Sequence, residues 1–327
     1  MRVLLTGSSG HLGDALGRTL RALGHDVVGL DVTAGVFTSV LGSIADAKIV
    51  TDAMRGVDAV LHTATLHKPH VVTHSRRDFL DTNIVGTLTL LEAAVAIRVA
   101  AFVYTSTTSV FGRALTPASG ERTAWITEDV QPMPKNIYGV TKKAAEDLCE
   151  LFHRKFTLPC LILRTSRFFP DEDDDATVRR AYADDNVKVN EYLYRRVDIE
   201  DVVSAHVRAL ERAATIGFGR YIISATTPFA LADTASLRTD APAVLARLFP
   251  EYEREYELRG WQMFPGLDRV YVNTLARRDL VWEPRWTFAY ILERLRAGED
   301  FRSELARSVG FKGYHAGRFG GEMYPTE

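Results

Sequence analysis

Three glycines spaced by three residues, set between an apolar run and an amphipathic stretch, constrain this chain more than any other feature. Arg2-Val3-Leu4-Leu5-Thr6 reads as a buried strand, bounded at once by Gly7-Ser8-Ser9-Gly10. Gly7, Gly10 and Gly13 follow at their fixed spacing. A helix comes next, with Leu12, Leu16, Leu20 and Leu23 as its apolar stripe and Gly24 past its end. A second strand, Asp26 to Leu30, ends on Asp31. Glycine lets the turn take positive φ and lets backbone approach a pyrophosphate closely. The helix start offers free N–H groups and the positive end of its dipole. Asp31, about 18 residues past the third glycine, is placed to accept both ribose hydroxyls and to repel a 2′-phosphate. The unit therefore points to a dinucleotide, NAD rather than NADP. A tight turn without a ligand would account for the glycines alone.

Length and composition frame what this unit sits in. A chain of 327 residues allows one large domain, or a core domain with a smaller lobe. Its 46% hydrophobic and 25% charged residues match an ordinary globule. The net charge of −2 leaves no nucleic-acid footprint. Cys149 and Cys160 suggest a reduced compartment. The N-terminus reads as a core strand, not a signal peptide, and no apolar run looks long enough to span a membrane. The expected location is the cytoplasm.

Strands and helices then alternate, as in a parallel sheet covered on both faces. Strands are expected at Val36 to Leu41, Val57 to His62, Ala101 to Ser106 and Leu158 to Arg164. Helices are expected at Asp46 to Arg55, His74 to Ile97 and Asn136 to Lys155. In the long helix Leu80, Ile84, Thr87, Leu88, Leu91 and Ala94 share one side. From Thr165 the rhythm breaks. Pro170 to Asp175 is an acidic run, read as a solvated loop whose last acids cap the next helix rather than as a metal site. Val187 to Asp198 reads as extended, Ile199 to Ala213 as helix, Arg220 to Ser224 as strand and Phe288 to Ala297 as a last helix. The tail, Gly310 to Glu327, is rich in glycine and aromatics; it reads as mobile or as docking through its rings.

The chemistry rests on two clusters. Tyr138 and Lys142, four apart, share a helix face. The ammonium is expected to draw the phenol toward neutral pKa, so that it can take a proton from an alcohol as hydride leaves the carbon. A surface helix pair is the plain alternative. Val103 to Gly112 is a strand ending in hydroxyls, and parallel strands present ligand groups at their carboxyl ends; a Ser/Thr-rich turn is the plain alternative there. Trp125 either stacks on a ligand or anchors a loop.

Together these residues resemble the extended short-chain dehydrogenase/reductase superfamily, the NAD-dependent epimerase/dehydratase group, in particular its nucleotide-sugar 4-epimerases. The resemblance runs from Met1 to about Gly298. It rests on Gly7, Gly10, Gly13, Asp31, His62-Thr63-Ala64, Thr82-Asn83-Ile84-Val85-Gly86-Thr87, Thr107, Tyr138 and Lys142. Arg196-Val197-Asp198 with Asp201-Val202, and Leu275 to Trp282, extend it. It implies a Rossmann-type α/β fold: a doubly wound parallel sheet over 1–165 that binds NAD, and a smaller mixed α/β C-terminal lobe over 166–327 that binds substrate, with segments returning to the sheet.

The resemblance also implies roles. Gly7, Gly10 and Gly13 face the pyrophosphate, and Asp31 holds the adenosine ribose. Ser9, His11, Leu12, Ser43, Ile44, Thr63, Ala64, Thr65, Asn83 and Thr105 complete the cofactor set, Asn83 bracing the active-site helix or a water. Thr107, Tyr138 and Lys142 are catalytic, and the last two also contact the cofactor. Thr107, Thr108, Arg167, Arg196 and Arg277 are the candidate substrate contacts. The implied substrate is a sugar or nucleotide sugar, the implied assembly a homodimer packed through 74–97 and 136–155. No nucleic acid, membrane or metal is expected.

Departures narrow the reaction. Dehydratases of this group carry Asp-Glu after the catalytic threonine; here Thr108 and Ser109 stand there. Arg167 replaces a common asparagine, and Ser43 replaces an adenine-contacting acid. His67-Lys68 stand where a ligand-facing lysine is common. Arg167, Lys188, Asn190, Arg195, Arg196, Arg269 and Arg277 either bind an anionic substrate group or pair with the acidic run. Three functions follow: an NAD-dependent epimerase, a net sugar dehydrogenase or reductase, and a silent NAD-binding protein, disfavoured by the intact Thr107, Tyr138 and Lys142.

Overall fold

The apolar runs pair as parallel strands, and everything else covers them. In this computed structural model residues 1–312 are described; the aromatic residues of the tail beyond Lys312 lie outside them. The elements in chain order are β1 (Arg2–Thr6), α1 (His11–Ala22), β2 (Asp26–Asp31), β3 (Val40–Leu41), α2 (Ala47–Ala53), β4 (Ala59–His62) and α3 (Arg76–Ile97). Then come β5 (Ala101–Thr107), β6 (Ala124–Ile126), α4 (Ile137–Phe156), β7 (Cys160–Thr165), α5 (Ala176–Ala181), α6 (Asp184–Glu191), α7 (Ile199–Ile216) and β8 (Phe218–Ile223). The chain closes with α8 (Thr234–Thr239), α9 (Ala241–Leu248), α10 (Tyr252–Glu257), β9 (Arg269–Tyr271), α11 (Thr274–Leu280), α12 (Phe288–Arg296) and α13 (Glu304–Val309).

Seven strands form one parallel sheet in the order β3-β2-β1-β4-β5-β7-β8. The order reverses between β1 and β4, so the crevice at their carboxyl ends is where a doubly wound sheet binds ligands. One sheet face packs Leu12, Leu16 and Leu20 of α1 with Val202, Ala205 and Ala209 of α7. The other packs Leu90, Leu91 and Ala94 of α3 with Ala145 and Cys149 of α4. A separate apolar cluster gathers around Tyr192, Leu245, Trp286 and Phe288, and β6 pairs with β9 in a second, two-stranded sheet. Trp125 of β6 packs on that cluster and does not line the site cavity, so it anchors its loop.

Several local expectations change. Only Val40–Leu41 of the stretch from Val36 pairs, at the sheet edge, with Val36 73% exposed. Val187 to Asp198 is not extended: its first part lies in α6, where the alternating Val-Lys-Val-Asn pattern buries its polar members too. Lys188 Nζ donates to the Pro170 carbonyl and pairs with Asp184 one turn back; Asn186 and Asn190 donate to the Gln262 carbonyl. The acidic run is only partly a solvated cap. Asp175 does cap α5, accepting from Thr177 N–H at 2.7 Å, but Asp173 is buried between two arginines.

Helix α3 carries a π-helical turn over Asp81–Val85. The extra residue in that turn shifts the face that follows. Leu80 is therefore 37% exposed while Leu90, Leu91 and Ala94 are buried, and the single stripe is broken. An 18-residue window of α3 reaches a mean hydropathy of 1.4, enough by length and composition alone to cross a membrane, while Leu90, Leu91 and Ala94 of the same helix are buried against the sheet. Both cysteines are buried free thiols.

Candidate active site

A cavity of about 1350 Å³ opens along the carboxyl ends of β1, β4 and β5. Of the residues named as catalytic, cofactor-binding or substrate-binding, all line it except Asn83, Arg196 and Arg277. Its cofactor end is built by backbone. Gly7 sits at φ 71°, and a Cβ there would lie 2.7 Å from Ala64 N. A Cβ on Gly13 would lie 1.9 Å from the Gly7 carbonyl oxygen, so strand, turn and helix close up only on glycine. Gly10 caps α1 without any side-chain acceptor, which leaves the first N–H groups of the helix facing the cavity. Asp31 is held in place by accepting from Ser9 N–H at 3.0 Å and Thr33 N–H at 2.9 Å. Ser43 Oγ accepts from Ala45 N–H, so it shapes the turn before α2. A glycine cradle, an uncapped helix start and a pre-set carboxylate fit a dinucleotide with free ribose hydroxyls.

The walls are braced from behind. Asn83 is 2% exposed. Its Oδ1 accepts from Thr65 Oγ at 2.9 Å and Leu66 N–H at 2.8 Å, and its Nδ2 donates to Thr141 Oγ at 3.0 Å. It ties Thr65 and Leu66 at the cavity wall to α4. His206 Nε2 meets Thr105 Oγ at 2.8 Å; burial pushes its pKa down to about 4, so it is neutral.

At the chemical end α4 delivers Tyr138 and Lys142 beside Thr107 at the end of β5. Lys142 Nζ donates to the Thr105 carbonyl at 2.7 Å and lies 4.1 Å from the Tyr104 ring centroid. Burial dominates both groups. It pushes Tyr138 up to about 12, against a smaller lowering by the Thr107 side chain, and pushes Lys142 down to about 7, against Glu146 and Cys149. The expected lowering of the phenol by its neighbouring ammonium is thus not what the protein alone shows. Loss of hydration dominates each of these buried groups. His67, held neutral by burial with a pKa of about 3, lies with its ring centroid 5.8 Å from that of Tyr138.

The substrate end shows where the basic residues go. Arg167 and Arg195 both clamp Asp173, at 3.2 and 2.7 Å, and Lys68 takes Asp174 at 3.1 Å. Arg196 faces away from the cavity, with Nε on Glu191 at 2.7 Å and Nη1 on the Phe169 carbonyl. Arg277 pairs with Glu283 at the surface. Pairing therefore takes most of these cations. Arg269 differs: it lines the cavity, has no carboxylate partner among the described residues, and its buried Nε has no hydrogen-bond partner among them. Sequence reasoning missed Glu146, which is fully buried on α4 and bonded to Arg164 and Ser106. No local pattern marks it.

Comparisons with known proteins agree with this geometry. A family model described as the NAD dependent epimerase/dehydratase family matches residues 3–223. The uncharacterized UDP-glucose epimerase YtcB of Bacillus subtilis is 28% identical over 186 residues, 50% of this chain and 55% of the relative, so the chain spans about half of that relative's length. The low-salt glycan biosynthesis protein Agl12 of Haloferax volcanii is 28% identical over 90% of this chain and 96% of its own. A short-chain dehydrogenase/reductase superfamily structure from Agrobacterium tumefaciens with bound NAD superposes with a TM-score of 0.65. It is 25% identical and covers 94% of this chain and 99% of that one. With a seven-stranded doubly wound sheet, a glycine cradle for NAD and a match over residues 3–223, the chain belongs to the NAD-dependent epimerase/dehydratase family of extended short-chain dehydrogenase/reductase enzymes.

Proposed function

We propose that this enzyme is an epimerase of a sugar or nucleotide sugar, working through a transient keto form with Tyr138 as the base. The observation that carries the reading is the meeting of Thr107, Tyr138 and Lys142 at one end of a cavity whose other end is the dinucleotide cradle. Thr107 Oγ orients the substrate hydroxyl. Tyr138 Oη takes its proton and returns one when the carbonyl is reduced again. Lys142 stabilises the phenolate that forms in between; its ammonium gains most when that negative charge appears, because both groups are dehydrated. Bound NAD supplies the hydride acceptor and donor. The residues for it are Gly7, Gly10, Gly13, the α1 N–H groups and Asp31.

Loss of water from the substrate is disfavoured on chemical grounds. Thr108 and Ser109 line the cavity where an acid and a base would be required, and neither hydroxyl can expel water as a carboxyl can. The names of the relatives, a UDP-glucose epimerase and a glycan biosynthesis protein, support a sugar substrate. Arg269 is the group proposed to meet an anionic part of it, by bidentate donation. The smaller lobe over 166–327 is proposed to hold the substrate. The exposed apolar residues of α3 and α4, among them Val85, Ile97, Val140 and Leu151, are proposed to pack against a second copy. The deciding test incubates NAD-loaded protein with candidate nucleotide sugars and follows absorbance of reduced cofactor together with product stereochemistry. Epimerisation gives an inverted sugar with no lasting NADH. Stoichiometric NADH would refute it in favour of a net dehydrogenase.

A further inference from the structure

The end of the described chain crosses the start of α1. Helix α13 packs on α1 and α7, and the segment after it runs over the first turn of α1. There the Gly310 backbone lies beside the His11 ring, and Lys312 Nζ donates to Asp14 Oδ2 at 2.8 Å. Lys312 lines the same cavity as Gly7, Gly10 and His11. Asp14 is an awkward residue for a phosphate site. It is an acid in the first helical turn, with its side chain 3% exposed. Left alone, its charge would oppose a diphosphate. Two cations share it instead: Arg18 on one oxygen and Lys312 on the other. The group of three carries one net positive charge. His11 adds none, because burial holds it neutral near pKa 4, and its buried Nδ1 has no hydrogen-bond partner among the described residues.

We propose that Lys312 is a cofactor-binding residue whose ammonium meets the diphosphate of NAD at the α1 N-terminus, so that residues 310–312 lie over the bound cofactor. The uncapped α1 N–H groups bind the anion from below, and Lys312 neutralises it from the solvent side. Its side chain is 35% exposed and Arg18 also holds Asp14, so turning the ammonium to a phosphate oxygen leaves that carboxylate paired. Cofactor exchange then requires the segment at 310–312 to lift. This inference rests on NAD as the cofactor and is independent of the epimerase reading.

The test is a fluorescence titration with NADH, with ADP and adenosine measured by displacement. It uses the full chain, Lys312→Gln, Lys312→Arg and a chain ended after Lys312. Lys312→Gln is expected to weaken NADH and ADP about tenfold and leave adenosine within about twofold, since only the diphosphate is addressed. Lys312→Arg is expected to keep most of the affinity, and the shortened chain to bind as the full one does. NADH binding by Lys312→Gln within about twofold of the unsubstituted protein overturns the inference. So does an equal loss for adenosine, which would report a disturbed fold, or a loss in the shortened chain as large as in Lys312→Gln. If the unsubstituted protein binds no NADH, the cofactor assignment falls with it.

Discussion

Removing Glu146 tests what holds α4 to the sheet. Glu146 is fully buried and Arg164 on β7 is 2% exposed. Arg164 Nη2 donates to Glu146 Oε2 at 2.7 Å and its Nε to Oε1 at 3.0 Å, while Ser106 Oγ donates to Oε1 at 2.6 Å. The pair joins α4 to β7 and β5, one turn beyond Lys142 and two beyond Tyr138. Glu146→Leu leaves a guanidinium in the core with no carboxylate, which costs about 3–5 kcal/mol. Unfolding entropy of about 2.1 cal/mol/K per residue makes that a Tm loss of about 4–7 °C for a chain of 327 residues. Glu146→Leu with Arg164→Met removes both charges and is expected to recover most of the loss, because an apolar pair of similar volume is close to neutral. Urea unfolding followed by circular dichroism, on the two single variants and the double, gives the coupling energy. Additive losses, or a Glu146→Leu cost under about 1 kcal/mol, would refute the claim that this pair anchors α4.

Three further outcomes follow from the site. Tyr138→Phe is expected to lower kcat by about 10²–10⁴ while NADH titrates as in the unsubstituted protein, since only the proton transfer is lost; steady-state kinetics beside the titration checks both halves. Gly13→Ala places a methyl 1.9 Å from the Gly7 carbonyl oxygen, so the turn must open. NADH affinity is expected to fall at least about tenfold, with about 1–3 kcal/mol of stability lost to overpacking; unchanged NADH binding would show that the cradle is not the diphosphate site. Lys142→Met tests the burial of the ammonium. With the Lys142 pKa brought from 10.5 to about 7 by burial, the unfolded chain binds a proton that the folded one releases between those values. Stability from this group therefore rises with pH across that window, and its full cost is present below about pH 7. The variant is expected to gain Tm over the unsubstituted protein at pH 6 and to lose that advantage toward pH 10. A gap in Tm that does not narrow would contradict the assigned direction.

What this sequence determines alone is what short-range geometry can encode. The strand, glycine turn, helix and Asp31 lie within 31 residues, and each step is a backbone requirement, a positive φ, a close approach or a helix start, that few residue types meet. Tyr138 and Lys142 are legible for the same reason, since four residues along a helix is one face. The rest was decided by folding, because the contacts are long-range. Whether an arginine is free or paired depends on which carboxylate the fold brings to it. Arg167 and Arg195 met Asp173, Arg196 met Glu191, and Arg269 met none among the described residues. The π-helical turn rotated the face of α3 by a local hydrogen-bond choice that hydrophobic period does not report. Burial, a property of the whole molecule, set Tyr138 high and Lys142 low. And Lys312 reaches Asp14 from 298 residues away, so no spacing rule could have placed a cation at the glycine turn where the chain begins.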